Sequence, residues 1–326
     1  MLYDRFQRKH NYLRISLTDA CNFRCTYCLP DENMVFTPPA HLLQAPEIVA
    51  LAKQFILLGV NKIRLTGGEP LMRKEVDWIV SELGLLGVQT TLTTNAALLH
   101  RHMNALWDAG MRSLNISLDT LNPLTFLALT KRNEFDTVYN NIQLALERGF
   151  KIKINVVVMR GVNHHEINRF VAWTQHAPIE IRFIEFMPFD RNQWQEKHVF
   201  TYAEILETIQ EQYPIQALEK EHQATARVLT IAGHQGRVAV ISTMTHPFCS
   251  DCNRLRLTAD GKLKNCLFSK NETDLLTAYR LGEPIEPLIR EALYQKEAAL
   301  GGQLSTDYQT IHPDDLRNRP MISIGG

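Results

Sequence analysis

The sequence predicts an α/β fold: a partial (β/α)6 barrel of the TIM type with a smaller C-terminal α+β region. Three observations predict it. Between residues 12 and 186, six short β-rich runs alternate with helical stretches, the pattern of βαβ units in a parallel sheet. Six units are too few for the full eight-stranded barrel, so a laterally open one is expected. After about residue 200 the alternation gives way to a helix, short β-like pieces and turns. The expected division is therefore a barrel core over 4–220 and a C-terminal region over 221–326.

The elements follow in order. Residues 12–17 (YLRISL) alternate and read as a strand that runs into a cysteine-rich loop. Residues 46–58 carry Ile48, Leu51, Ala52 and Phe55 at helical spacing, with Pro46 suited to a first turn and Gly59 to a stop. A strand at 62–65 meets the turn Thr66-Gly67-Gly68-Glu69-Pro70. Helices at 75–83, 98–109, 136–148 and 166–175 alternate with strands at 89–93, 113–117, 151–158 and 180–186. Beyond them come a helix at 201–212 and β-like pieces at 227–231, 237–241 and 254–258. Chemistry-bearing residues gather where strands end, where α/β barrels place their active sites.

Composition narrows the function classes. The chain has 326 residues, 45% of them hydrophobic and 21% charged, with zero formal net charge. No global field draws it to nucleic acid or to a membrane surface. The N-terminal stretch has charges but no apolar signal-peptide core, and no apolar run reaches the length of a membrane helix. A cytoplasmic, reducing location is expected, where six cysteines point to metal or catalysis rather than disulfides.

Cys21, Cys25 and Cys28 form a C-x3-C-x2-C loop. Three thiolates on a cubane iron–sulfur cluster leave one iron open to chelate a small molecule. Structural zinc sites want four ligands, commonly two C-x2-C pairs, and no second pair lies near this loop. Cys249 and Cys252 form a C-x2-C pair, followed by Cys266, so the six cysteines divide into two threes. The second group reads as another three-thiolate cluster, or as a zinc site completed by His246. Between its ligands lie Arg254 and Arg256, which share one face of a strand and suit an anion such as phosphate; otherwise they form a solvated strand edge.

With Gly67-Gly68-Glu69-Pro70 after the second strand, the cysteine loop resembles that of the radical S-adenosylmethionine superfamily. Glycines there would let the backbone approach the cosubstrate's amino group. Residues 19–30, 63–70 and 249–268, with Gly325-Gly326 at the end, resemble the GTP 3′,8-cyclase family, which opens molybdenum cofactor synthesis. The resemblance covers nearly the whole chain. It implies a radical lyase that converts GTP to (8S)-3′,8-cyclo-7,8-dihydroguanosine 5′-triphosphate. A 5′-deoxyadenosyl radical takes a hydrogen from C3′, and that carbon attacks C8 of guanine.

Carried over residue by residue, the resemblance implies two [4Fe–4S] clusters. One is held by Cys21, Cys25 and Cys28, the other by Cys249, Cys252 and Cys266. It implies S-adenosylmethionine on Tyr27, Gly68, Ser117 and Met187, with core packing the competing reading for Met187. GTP falls to Arg14, Arg64, Thr93, Lys153, Arg254 and Arg256. Burying such cations on central strands is costly without a partner, and a triphosphate supplies one. The diglycine tail would reach the active site. Implied partners are a reductant such as flavodoxin or ferredoxin, a downstream cyclic pyranopterin monophosphate synthase and a second copy of the chain as a homodimer.

Two positions depart from the family pattern. Ala96 stands where Thr-Thr-Asn is commonly followed by Gly, and Lys131 where Thr is. The first is expected to tighten a turn, the second to place a cation where a flexible residue belongs. Two other readings remain: a radical enzyme of the peptide-modifying maturase kind, and a non-catalytic zinc-binding interaction protein. The paired arginines and the diglycine tail favour the nucleotide reading over the first. His164-His165-Glu166 is not H-E-x-x-H and gives a zinc protease no support.

Overall fold

The structure is a computed structural model that describes residues 1–28, 34–190, 192–219, 222–305, 307–312 and 316–325. Leu29, Pro30 and Gly326, used in the sequence reading, lie outside the described residues. Six parallel strands form the barrel: β1 (Tyr12–Ser16), β2 (Lys62–Thr66), β3 (Gln89–Thr94), β4 (Ser113–Ser117), β5 (Lys151–Val158) and β6 (Glu180–Glu185). The crossovers are α1 (Ala45–Leu57), α2 (Val76–Gly84), α3 (Leu99–Asp108), α4 (Pro123–Thr130) with α5 (Phe135–Glu147), and α6 (Ile167–His176). The expected strands and helices form within a residue or two of their expected ends. The fourth crossover holds two helices rather than one. α4 escapes a periodicity search because its apolar side chains lie all round it: Phe126 and Leu129 are buried, Leu124 and Leu127 exposed.

After α7 (Tyr202–Gln210), the C-terminal strands do not make a separate sheet. They extend both edges of the barrel sheet. On one side β9 (Arg237–Ile241) pairs parallel with β6 and carries β8 (Arg227–Ile231) and β7 (Ile215–Ala217) as an antiparallel meander. On the other, β10 (Arg254–Leu257) pairs parallel with β1 and carries β11 (Lys262–Lys264) and β12 (Thr273–Asp274). The order is β12-β11-β10-β1-β2-β3-β4-β5-β6-β9-β8-β7, with the two end strands unpaired, so the barrel is laterally open. Helices α8 (Leu275–Arg280) and α9 (Glu286–Tyr294) and a short α10 (Met321–Ile324) complete the described chain. No helix among the described residues is long and apolar enough to cross a membrane.

Strand alternation sorts the side chains. Leu13, Ile15, Ile63, Leu65, Leu92, Leu114, Ile116, Ile152, Ile154, Ile181 and Phe183 are buried in the main apolar core. The opposite parity carries Tyr12, Arg14, Lys62, Arg64, Thr93, Asn115, Lys153, Asn155 and Arg182, which line a cavity. A closed barrel fills this space with branched apolar side chains. Here it is polar and open.

Candidate active site

The cysteine loop is fixed from two sides. Its backbone N–H groups at Arg24 and Thr26 donate to the carbonyls of Thr130 and Leu129, 2.9 and 3.0 Å away. These are carbonyls that the end of α4 leaves without an intrahelical partner. On the other side, Gly68 N donates to Thr18 O (2.7 Å) and Glu69 N to Ala20 O (2.8 Å). A Cβ on Gly68 would stand 2.3 Å from the carbonyl oxygen of Ala20. The glycines are therefore required by the close approach of the cysteine loop itself, a reason the sequence reading did not anticipate.

The thiols of this triad lie within electrostatic reach of one another on the half-buried cavity wall. Burial and the nearby Glu69 carboxylate push Cys21 up to about 11. Burial, Cys21 and Asp119 push Cys28 to about 12, and Cys25 also titrates well above an ordinary thiol because of burial and Cys28. Three thiolates here are tolerable only with a cationic centre between them, because metal binding deprotonates its ligands. Asn95 steadies the loop with a 2.8 Å bond from Nδ2 to Asn22 Oδ1. The Tyr27 hydroxyl donates to Asp119 Oδ2 at 2.5 Å. Asp119 in turn accepts from Val157 N at the end of β5. The hydroxyl of Tyr27 is thus engaged, and its ring and backbone are what face the cavity.

The second triad lies at the other end of the strands. Cys249 and Cys252 precede β10, and Cys266 follows β11, which runs antiparallel to β10. All three are therefore at the N-terminal end of β10 and its parallel neighbour β1. Lys296, only 2% exposed, places Nζ 3.4 Å from Cys252 Sγ, 2.9 Å from His10 Nε2 and 3.1 Å from Arg254 O. Burial alone would raise the Cys252 thiol, but Lys296 and Arg254 outweigh it and bring it down to about 6. His246, the fourth ligand of the zinc reading, packs its ring on Tyr202 at 5.1 Å. Among the described residues, no three His, Cys, Asp or Glu close to the spacing of a single metal ion. Two sets of three free thiols with no fourth partner fit cubane clusters better than mononuclear zinc.

Between the triads is a cavity of about 580 Å³. Every residue that the resemblance implies for a cluster, the cosubstrate or GTP lines it: the six cysteines, Tyr27, Gly68, Ser117, Met187, Arg14, Arg64, Thr93, Lys153, Arg254 and Arg256. Met187 also packs against two apolar clusters while lining the cavity. Sequence reasoning missed Tyr12, Lys62, Asn115, Asn155, Glu180 and Arg182, which line the same space. Strand parity was a usable signal for four of them: Tyr12, Lys62 and Asn115 stand two residues before Arg14, Arg64 and Ser117, and Asn155 two after Lys153, on the same faces.

The cavity wall is strongly cationic. Arg14, Lys62 and Arg64 surround the Tyr12 ring at 5.8, 5.1 and 5.6 Å. Burial holds the Arg64 guanidinium down to about 10; Tyr12 works against this, and Arg14 and Arg182 add to it. The buried Nε atoms of Arg14 and Arg64 have no hydrogen-bond partner, nor does Thr93 Oγ1. Unpaired buried donors of this kind call for an anionic ligand. Glu180 is the local counter-charge, within 3.5 Å of Lys153 and salt-bridged to Arg182 and Arg237 at 2.5 and 2.6 Å. Arg256 donates to the carbonyl of Gly325, and a Cβ on Gly325 would meet Thr66 Oγ1 at 2.6 Å. The C-terminal tail is therefore threaded into the barrel between β1, β2 and β10.

Residues 15–174 match the radical SAM superfamily model, and residues 179–301 match the molybdenum cofactor synthesis C model. The GTP 3′,8-cyclase, mitochondrial, of Arabidopsis thaliana is 46% identical over all of this chain and 84% of its own length. The chain belongs to the GTP 3′,8-cyclase family of radical S-adenosylmethionine proteins. Molybdenum cofactor biosynthesis protein 1 of Mus musculus is 46% identical over 99% of this chain, which spans only about half (51%) of the mouse protein. Among solved structures, Streptococcus suis SuiB bound to S-adenosylmethionine aligns with a TM-score of 0.62, covering 87% of this chain and 68% of its own, at 17% identity. That likeness concerns the fold alone.

Proposed function

We propose that this member of the family converts GTP to (8S)-3′,8-cyclo-7,8-dihydroguanosine 5′-triphosphate, the first step of molybdenum cofactor biosynthesis. The observation that carries the reading is one cavity with a three-thiol group at each end and, on the wall between, the buried Nε atoms of Arg14 and Arg64 without a hydrogen-bond partner. Cys21, Cys25 and Cys28 would hold the first [4Fe–4S] cluster, and Cys249, Cys252 and Cys266 the second. Together with S-adenosylmethionine, these groups supply when bound a 5′-deoxyadenosyl radical at the rim and an iron with a free coordination position at the opposite end.

The chain's own residues do the placing. Gly68, Ser117, Met187 and the Tyr27 ring shape the cosubstrate pocket beside the first triad. Asp119 fixes Tyr27 through its hydroxyl. Arg14, Arg64, Thr93 and Lys153 bind the triphosphate and sugar, with Arg254 and Arg256 beside the second triad. Glu180 gathers Lys153 and Arg182 on one carboxylate oxygen and offsets part of the wall's positive charge. A reacting carbon held within about 3–3.5 Å of its partner gains most of the available proximity advantage. The buried wall excludes water and stray hydrogen donors from a radical.

The same reading assigns 4–220 to the radical core and 221–326 to the auxiliary-cluster region. It places the protein in the cytoplasm with a flavodoxin- or ferredoxin-type reductant, a downstream cyclic pyranopterin monophosphate synthase and a second copy of the chain as partners. The test is anaerobic reconstitution followed by incubation with GTP, S-adenosylmethionine and dithionite. The expected products are 5′-deoxyadenosine, methionine and an isomer of GTP with a shifted retention time. Formation of 5′-deoxyadenosine with GTP recovered unchanged would overturn the assignment.

A further inference from the structure

Asn115 sits in the middle of β4, 1% exposed, and lines the cavity. Neither its Nδ2 nor its Oδ1 has a hydrogen-bond partner. A buried amide with both functions unmet is rare, because each lost bond leaves a desolvated polar atom. Its place is set by register. Asn115 pairs with Thr93 on β3 and with Lys153 on β5, so the three side chains stand abreast on the inward face. Ser117, two residues on, points the same way and lies nearer the rim where the first triad sits. Asn155, beside Ser117 on β5, also has an unpartnered Oδ1.

The chemistry of the orphan pair narrows its ligand. Phosphate oxygens only accept, so they would satisfy Nδ2 and set negative charge against Oδ1. A hydroxyl both donates and accepts, and two neighbouring hydroxyls match both ends of one amide. In a nucleotide whose phosphates lie against Lys153 and the arginines, and whose sugar must present a hydrogen to the rim, the part passing Asn115 is the ribose. This rests on the GTP reading above. We propose that Asn115 is the specificity-determining residue that reads the ribose hydroxyls and makes the site selective for ribonucleotides over 2′-deoxyribonucleotides. A site built to bond a hydroxyl discriminates strongly against the analogue without it, because its own polar groups are then left unpaired.

The test uses the reconstituted holoenzyme with GTP, 2′-deoxyGTP and inosine triphosphate, read as kcat/KM for 5′-deoxyadenosine formation and as nucleotide affinity without reductant. Asn115→Leu keeps the branched shape and removes both polar groups; Asn115→Ala removes them without adding bulk and serves if the leucine disturbs cluster loading. The expected result is that wild type prefers GTP to 2′-deoxyGTP and that the variant lowers this preference at least tenfold. The loss should be larger on GTP, which gives up contacts from both hydroxyls, than on 2′-deoxyGTP, which has only its 3′-hydroxyl contact to lose. An unchanged preference overturns the inference. So does a changed preference between GTP and inosine triphosphate alone, which would assign Asn115 to the base. A raised KM for S-adenosylmethionine with the sugar preference intact would assign it to the cosubstrate and overturn it equally. If wild type gives no product from any of the nucleotides, the GTP reading fails and this inference falls with it; product from wild type with an unaltered sugar preference in the variant sinks this inference alone.

Discussion

Lys153 shows how a single residue ties the wall's electrostatics to binding. Burial and the positive charges of Arg182, Arg237 and Lys62 hold its ammonium down to about 8, although Glu180 works in the other direction. The protonated form is the one that attracts phosphate. In the ligand-free protein that charge is lost as pH rises through about 8, so GTP affinity should weaken above this pH and level off below it. The expected plot of log KM for GTP bends upward near pH 8 in wild type and stays flat in Lys153→Arg, whose guanidinium keeps its proton. A bend of equal size in both proteins would assign the effect to another group. A second residue-scale case is Lys131, which caps α4 with φ 57°, and Ala96, with φ 63°. Both departures from the family pattern thus fall in the left-handed region that glycine fills without strain. The backbone angles add to the sequence reading the reason that these two positions matter. Lys131→Gly, at an exposed site, should raise stability by about 0.5–1 kcal/mol, seen as a higher denaturant midpoint at unchanged slope. Ala96→Gly also removes a fully buried methyl, so its gain should largely cancel.

At the scale of elements, the barrel rim is laced by buried carboxylates at strand ends. Glu69 after β2 accepts from Thr94 Oγ1 and Asn95 N after β3, at 2.7 Å each. Asp119 after β4 accepts from Val157 N on β5. Glu185, closing β6, accepts from Met244 N and Thr245 N after β9 and from Tyr202 N at the start of α7. Each tie fixes a functional loop to its neighbour, in the manner expected of a preorganised site. Local sequence carries no mark of this, since a carboxylate at a strand end looks the same whether it meets water or a backbone amide. The six barrel strands and their helices, α4 excepted, were legible because burial on one face imposes a period. β11, β12 and α10 were not, being too short to show one. The Gly68 contact yields a prediction here. In Gly68→Ala the new methyl would displace Ala20 and with it the first cysteine loop. Iron should fall from about eight to about four per chain after reconstitution, because the second triad is untouched. Retention of the full iron content would show that the loop can yield without losing its ligands.

At the scale of the molecule, the arrangement depends on pairings across more than two hundred residues. β10 joins β1 in register, Tyr12 opposite Arg254 and Arg14 opposite Arg256. This brings the second triad to the end of the cavity opposite the first. The sequence disclosed the two triads and their ligands as separate motifs; which end each occupies follows from a strand pairing that no local pattern encodes. The N-terminal segment reinforces it: Arg8, buried against Asp4, donates to Cys249 O at 2.8 Å and Ala298 O at 2.7 Å. The C-terminal strands, expected as an attached region, continue the barrel sheet at both edges, so core and auxiliary ends share one sheet. That shared sheet is the basis of the central claim, that a radical formed at one end acts on a nucleotide held from the other. The most direct measurement is a single-turnover reaction with GTP deuterated at C3′ of the ribose, followed by mass analysis of the 5′-deoxyadenosine released. The account predicts transfer of one deuterium into 5′-deoxyadenosine; unlabelled 5′-deoxyadenosine formed alongside product would contradict it.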